Sequence, residues 1–135
     1  MSGARLAASF TDDFLAFRCI ERFEDGSGFR FDVELRSRAF GADYPFFVEL
    51  HPMMSFLLEL AAIDNKLTGE ALLKSTWESQ FIQISAGRYG DIAVRGELME
   101  HRERGLQLIF EFRSDQTCVR EFLKQLRSEG FALDF

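Results

Sequence analysis

The stretch "LIFEFRSDQTCVREFLKQL", Leu108 to Leu126, changes period in its middle. Up to Phe112 the apolar residues alternate, with Leu108, Phe110 and Phe112 on one side, as a half-buried strand requires. From Val119 onward Phe122, Leu123 and Leu126 follow at offsets of 3, 4 and 7, one face of a helix. Between the two patterns stands Ser114-Asp115-Gln116-Thr117. Backbone N–H groups at a helix start lack internal partners, and a Ser or Asp oxygen satisfies them. The tetrapeptide therefore reads as the N-cap of a helix that directly follows a strand, with Ser114 or Asp115 as the capping residue. Asp115 also complements the helix dipole.

The same plan appears earlier in the chain. A strand is expected within Phe10 to Phe23, with both faces partly covered. "EDGSG", Glu24 to Gly28, is a hairpin signal, because Asp-Gly accepts the turn backbone. "FRFDVELR" then alternates strictly, Phe29, Phe31, Val33 and Leu35 inward and Arg30, Asp32, Glu34 and Arg36 outward. An irregular loop is expected over 37–45, then a short strand from Phe46 to Leu50. A helix follows from Pro52 to Leu67, its stripe made by Met53, Phe56, Leu57, Leu60, Ile63 and Leu67, with Gly69 as a left-handed cap. The second half repeats the order, with strands in "WESQFIQISAG" and "GDIAVRGELME" around a turn at Gly87 to Gly90. "GLQLIFEFR" supplies its last strand, Leu106, Leu108, Phe110 and Phe112 inward, after a solvated hairpin tip at "HRER". The C-terminal "FALDF" is expected to pack back on the helix.

These patterns predict an α+β protein of βββα-βββα order: a mainly antiparallel sheet with two helices on one face. One domain over residues 1–135 is expected, with 1–9 as a loose lead-in. An open sheet edge would suit a homodimer.

Composition narrows the function classes. Sixteen of the 135 residues are Phe, against 2 Tyr and 1 Trp, which signals packing bulk rather than stacking on bases. The net charge of −6 lacks the basic footprint of nucleic-acid binders; it would attract a basic partner, although acidity of this degree more often serves solubility alone. Neither a signal peptide nor an apolar run of membrane-spanning length is present, so cytoplasmic residence is expected. Cys19 and Cys118 fall in apolar patterns and read as buried free thiols. Metal and cofactor motifs are absent, so no cofactor is expected.

His51 reads as a helix-entry residue, and His101 in "EHRER" as solvated; neither has a triad partner at a recognisable spacing. Asp12-Asp13 and Glu24-Asp25 read as turn carboxylates, since neighbours on a strand point to opposite faces and chelate poorly. Gly96, inside "IAVRGEL", is expected beneath a bulky core residue. The residues expected to meet a partner are Tyr44 and Trp77 as aromatic anchors, with packing at the edge of the core as the other reading of Trp77, and Glu24 and Asp25 as acidic contacts.

"SDQT" between a strand and an amphipathic helix resembles the C-terminal end of the WapI-type family of bacterial immunity proteins and related uncharacterised small domains. "LTGEALLKSTWES", "IQIS" and "GDIAVRGEL" are similar to that family's helix, glycine-containing loop and strand pair, so the resemblance covers about residues 46–127. It implies a cytoplasmic, non-enzymatic protein that neutralises a cognate toxin domain, many such toxins being basic nucleases, and it brings no catalytic residues. Two other readings remain at this point. One is a structural or homo-oligomeric domain; the other is a small-ligand binder with a Phe-lined pocket.

Overall fold

The structure is a computed structural model that describes residues 3–37, 40–75, 80–99 and 107–131. Four antiparallel strands come first: β1 (Gly3–Ala7), β2 (Phe14–Arg22), β3 (Gly28–Ser37) and β4 (Phe40–Glu49). Helix α1 (Leu50–Lys66) follows without a linker. Four more strands repeat the plan, β5 (Glu70–Lys74), β6 (Phe81–Ala86), β7 (Asp91–Met99) and β8 (Gln107–Asp115), and lead into α2 (Gln116–Leu126). Each set of strands pairs in sequence order, β1-β2-β3-β4 and β5-β6-β7-β8.

The α+β class, the antiparallel pairing and the strand-to-helix junctions are as the sequence predicts. The strands form two sheets rather than one, and each sheet gains a first strand. Residues 1–9, expected as a loose lead-in, contain β1. It and β5 are five residues long and turn only Ala4 and Leu6, or Ala71 and Leu73, inward. That is too little alternation to register as a strand pattern.

Both short strands are sheet edges, and each is covered by the helix of the other half. The contacts of α2 run along β1 and those of α1 along β5. The side chain of Gln125 on α2 accepts from the Arg5 backbone N–H at 2.8 Å. Glu59 on α1 accepts from the Leu72 backbone N–H at 3.2 Å. An exposed edge N–H invites pairing with another chain, and a covering helix removes the invitation. The two halves are thus locked by exchange, each sheet closed by the helix that follows the other.

One continuous core fills the space between sheets and helices. Sheet residues Leu15, Phe17, Phe31, Val33, Ile82 and Val94 meet helix residues Phe56, Leu60, Phe122 and Leu126, all fully buried. The helices are also clamped directly. Arg120 on α2 donates to the Asp64 carboxylate at 3.0 Å, and Gln116 to the Asp64 carbonyl at 2.7 Å.

Further local differences have plain causes. The register of β2 shifts between Arg18 and Glu21, so Cys19 and Ile20 together oppose Phe31 in a β-bulge. Cys19 takes φ 54° there and is exposed, while Cys118 is half-buried. Neither cysteine is the buried thiol the alternation suggests. The expected loop 37–45 is instead mostly strand, because β4 begins at Phe40 and pairs with β3 along its whole length. Helix α1 ends where the sequence expects, its last helical residue being Lys66, but its left-handed cap is Leu67 rather than Gly69. Leu67 itself takes the left-handed conformation, and its N–H bonds the Ile63 carbonyl at 2.9 Å.

Candidate functional site

The tetrapeptide that sets the fold is a structural junction. Asp115 is the N-cap of α2, and its Oδ1 accepts from the Cys118 backbone N–H at 2.9 Å. Its Oδ2 accepts from the Ser9 hydroxyl at 2.8 Å. The buried Ser114 hydroxyl donates to the Ala7 carbonyl at 2.6 Å. Ser9 also donates its backbone N–H to the Arg113 carbonyl at 3.1 Å. Three of these hydrogen bonds tie the end of β1 and the β1–β2 loop to the junction of β8 and α2, and the fourth caps the helix itself. The Cys118 N–H and then the Ser9 hydroxyl hold the Asp115 carboxyl below its ordinary value. Burial pushes the Cys118 thiol up, which leaves it protonated and a poor nucleophile at neutral pH.

Replacing Asp115 by alanine removes both carboxylate bonds and is expected to cost about 1 kcal/mol. The sign of its pH dependence follows from the lowered folded-state value. The ionised cap stabilises the fold above the unfolded value of about 4, and that contribution is lost as pH falls through the folded value. Thermal melts of wild type and Asp115→Ala should differ at pH 7 and converge toward pH 2. A gap that does not change with pH would contradict the role of the carboxylate.

The acidic turn sits at the other junction. Glu24 and Asp25 are exposed at the β2–β3 hairpin, where Gly26 takes φ 74°. Asp25 accepts from the Ser27 backbone N–H at 2.9 Å, and its bonds to Ser27, the side-chain hydroxyl first, lower its carboxyl value. The carbonyl of Ser27 in turn accepts from the Leu50 N–H at 2.8 Å. This turn thus caps the entry of α1, whose N-cap residue Glu49 makes no side-chain capping bond. Two exposed carboxylates are therefore anchored at the N-terminal end of α1.

The four residues expected at a partner surface are not gathered into one patch. Tyr44 lies in β4 rather than in a loop, half-buried, and packs on the core beside Phe46. Glu49, at the end of the strand beside the acidic turn, follows five positions later, so along the strand Tyr44 stands roughly 17 Å from it. Trp77 and His101 lie outside the described residues. His51 is exposed at the start of α1, as its sequence position predicts.

Reading the sequence for inward stripes misses the back of α1. Met53, Phe56, Leu57, Leu60 and Ile63 face the core. The opposite side carries His51, Met54, Ser55, Leu58, Ala62 and Asn65, with the exposed charges of Glu59 and Lys66 along one margin. Leu58 is 51% exposed.

Two open surface clefts lie elsewhere. One of about 400 Å³ is lined by residues including Arg5, Ala16, Arg18, Glu34 and Gln125; another of about 370 Å³ lies between Glu34 and Asp43. Neither is lined by phenylalanine. The Phe rings pack on one another instead, Phe17 to Phe31 at 4.5 Å and Phe17 to Phe122 at 5.3 Å between centroids. Among the described residues no group of three or more His, Cys, Asp or Glu converges to hold a metal, and no helix is long and apolar enough to cross a membrane.

The model of the Immunity protein WapI-like family matches residues 9–130. No curated protein and no solved structure matches the chain.

Proposed function

The chain belongs to the WapI-like immunity protein family, and on that premise we propose that it neutralises a cognate toxin by binding the toxin's active domain. The family match over residues 9–130 carries this reading. It extends from β2 through α2, seven of the eight strands and both helices, so it covers far more than a single motif.

Binding rather than catalysis is the mode of action. The toxin domain would be a basic protein, attracted by a chain of net charge −6. Glu24 and Asp25 would meet it as exposed acidic contacts, held in place by the turn they belong to. Tyr44 and Trp77 would add aromatic contacts. The cytoplasm, where such a toxin acts, is the compartment of the complex.

Co-purification tests the reading. The chain, produced together with a catalytically inactive form of the toxin domain encoded beside it, should elute with it as one complex. Separate elution of the two at micromolar concentration would refute the proposal.

A further inference from the structure

The two sheets have four edge strands, β1 and β4 in one and β5 and β8 in the other. Three of them carry a block against further pairing. Helix side chains take the edge N–H of Arg5 on β1 and of Leu72 on β5. On β4 the Gln80 side chain donates to the Pro45 carbonyl at 3.0 Å, and the nitrogen on that side belongs to a proline and has no hydrogen. Strand β8 contains no proline. Among the described residues its outer edge has one backbone partner, Ser9, whose N–H meets the Arg113 carbonyl at 3.1 Å.

That bond fixes which residues of β8 face the open side. The N–H and C=O of one strand residue point the same way, and the direction alternates along the strand. Arg113 faces outward, so Glu111, Ile109 and Gln107 do too. The other side of the sheet agrees. The Asp91 carbonyl accepts from Gly87 at 2.7 Å, toward β6, which leaves Ile92, Val94 and Gly96 to bond Ser114, Phe112 and Phe110. Gln107, Ile109 and Glu111 thus offer six backbone groups along an open edge, and Ile109, the middle residue, is 73% exposed. An array of this kind is met by another extended strand.

The side chains of β8 select a second copy of the same strand. Laid antiparallel on its own image about Ile109, the strand sets Ile109 against the copy's Ile109 and Gln107 against the copy's Glu111. On the core side Leu108, half-buried at the margin of the core, meets the copy's Phe110. The centre is then apolar on both faces, and each end pairs an amide with a carboxylate. Centring on Glu111 would oppose two carboxylates, and centring on Phe110 would set Ile109 against Glu111.

We infer that two copies of this chain associate edge to edge through β8, antiparallel and centred on Ile109. The contact joins their second sheets into one of eight strands, four from each copy. It stands independently of toxin binding.

Sedimentation velocity of the full chain from about 10 µM to 1 mM tests it, with circular dichroism to check that each variant folds. Wild type should pass from monomer to dimer within that range, since a small edge contact assembles weakly. Ile109→Lys sets two ammonium groups against each other and should raise the dissociation constant about tenfold or more. Ile109→Pro removes an N–H that β7 does not use and should do the same. Leu72→Lys, on the outer face of the same sheet at its covered edge, should dimerise like wild type. Cross-linking checks the register in a Cys19→Ser background. Ile109→Cys should form a disulfide with its own copy under oxidised glutathione, because facing residues stand about 5.5 Å apart at Cα. Glu111→Cys should not, since its own copy lies four residues further along, roughly 14 Å away. A wild type that stays monomeric to the top of the range would overturn the inference. So would a dimer that both Ile109 variants leave intact, or cross-linking by Glu111→Cys in place of Ile109→Cys. A monomeric wild type whose toxin binding is lost in Ile109→Lys would give the edge to a strand of the toxin and also overturn it.

Discussion

Phe17→Ala is expected to lower the unfolding free energy by about 4 kcal/mol. Phe17 sits on β2, is fully buried, and touches aromatic rings from three other elements. Its ring centroid lies 4.5 Å from that of Phe31 on β3, 5.3 Å from Phe122 on α2 and 6.4 Å from Phe56 on α1. The contact with Phe122 is edge-on at 77°, the arrangement that sets a positive ring edge against a negative face. Truncation loses the transfer energy of the ring and leaves a cavity whose walls belong to four separate elements. Those walls cannot all close on it, so the cost falls in the upper part of the range for such substitutions. Domains of this size have about 5–15 kcal/mol in total, so the variant should be marginal. Urea unfolding of Phe17→Ala beside Phe10→Ala checks the argument. Phe10 is 96% exposed, and its removal should change stability by less than about 0.5 kcal/mol. A Phe17→Ala loss below about 1 kcal/mol would mean that the rings do not meet as described.

Gly96→Ala is the second large effect, and its sign is diagnostic. Alanine in place of a strand glycine ordinarily helps, by roughly 0.5–1 kcal/mol. Here a Cβ at position 96 would collide with the Phe81 carbonyl oxygen and stand 2.9 Å from the edge of the Phe110 ring. Gly96 pairs with Ile82 on one side and Phe110 on the other, and the Phe110 ring occupies the place a side chain would take. The expected loss is about 3 kcal/mol, the upper end for forcing atoms into a packed core. Phe110→Leu in the same chain should restore part of it, because the ring can be removed and the carbonyl cannot. Thermal melts of the two single variants and the double variant measure the coupling. Additive losses would show that the ring does not cover the glycine.

Both effects were partly legible in the sequence. The abundance of Phe with little Tyr or Trp predicts an aromatic core, and a glycine inside "IAVRGEL" predicts a bulky neighbour. The period change at Ser114 to Thr117 locates the strand-to-helix junction, and Asp115 is indeed the cap. What the pattern leaves unread has physical causes. Strands β1 and β5 each bury two side chains and owe their place to helices far away in the chain, so local alternation carries little of their signal. The division into two sheets depends on which edges the helices cover, and alternation is silent on that. The bulge at Cys19 turns an expected inward thiol outward, because one extra residue exchanges the faces of the strand beyond it.

The central proposal is that this member of the WapI-like immunity family protects by binding its toxin domain. Growth of cells expressing the active toxin domain measures that directly, with wild-type chain or no chain supplied beside it. The account predicts full growth with wild type and growth arrest with no chain. Arrest in the presence of wild-type chain would contradict it.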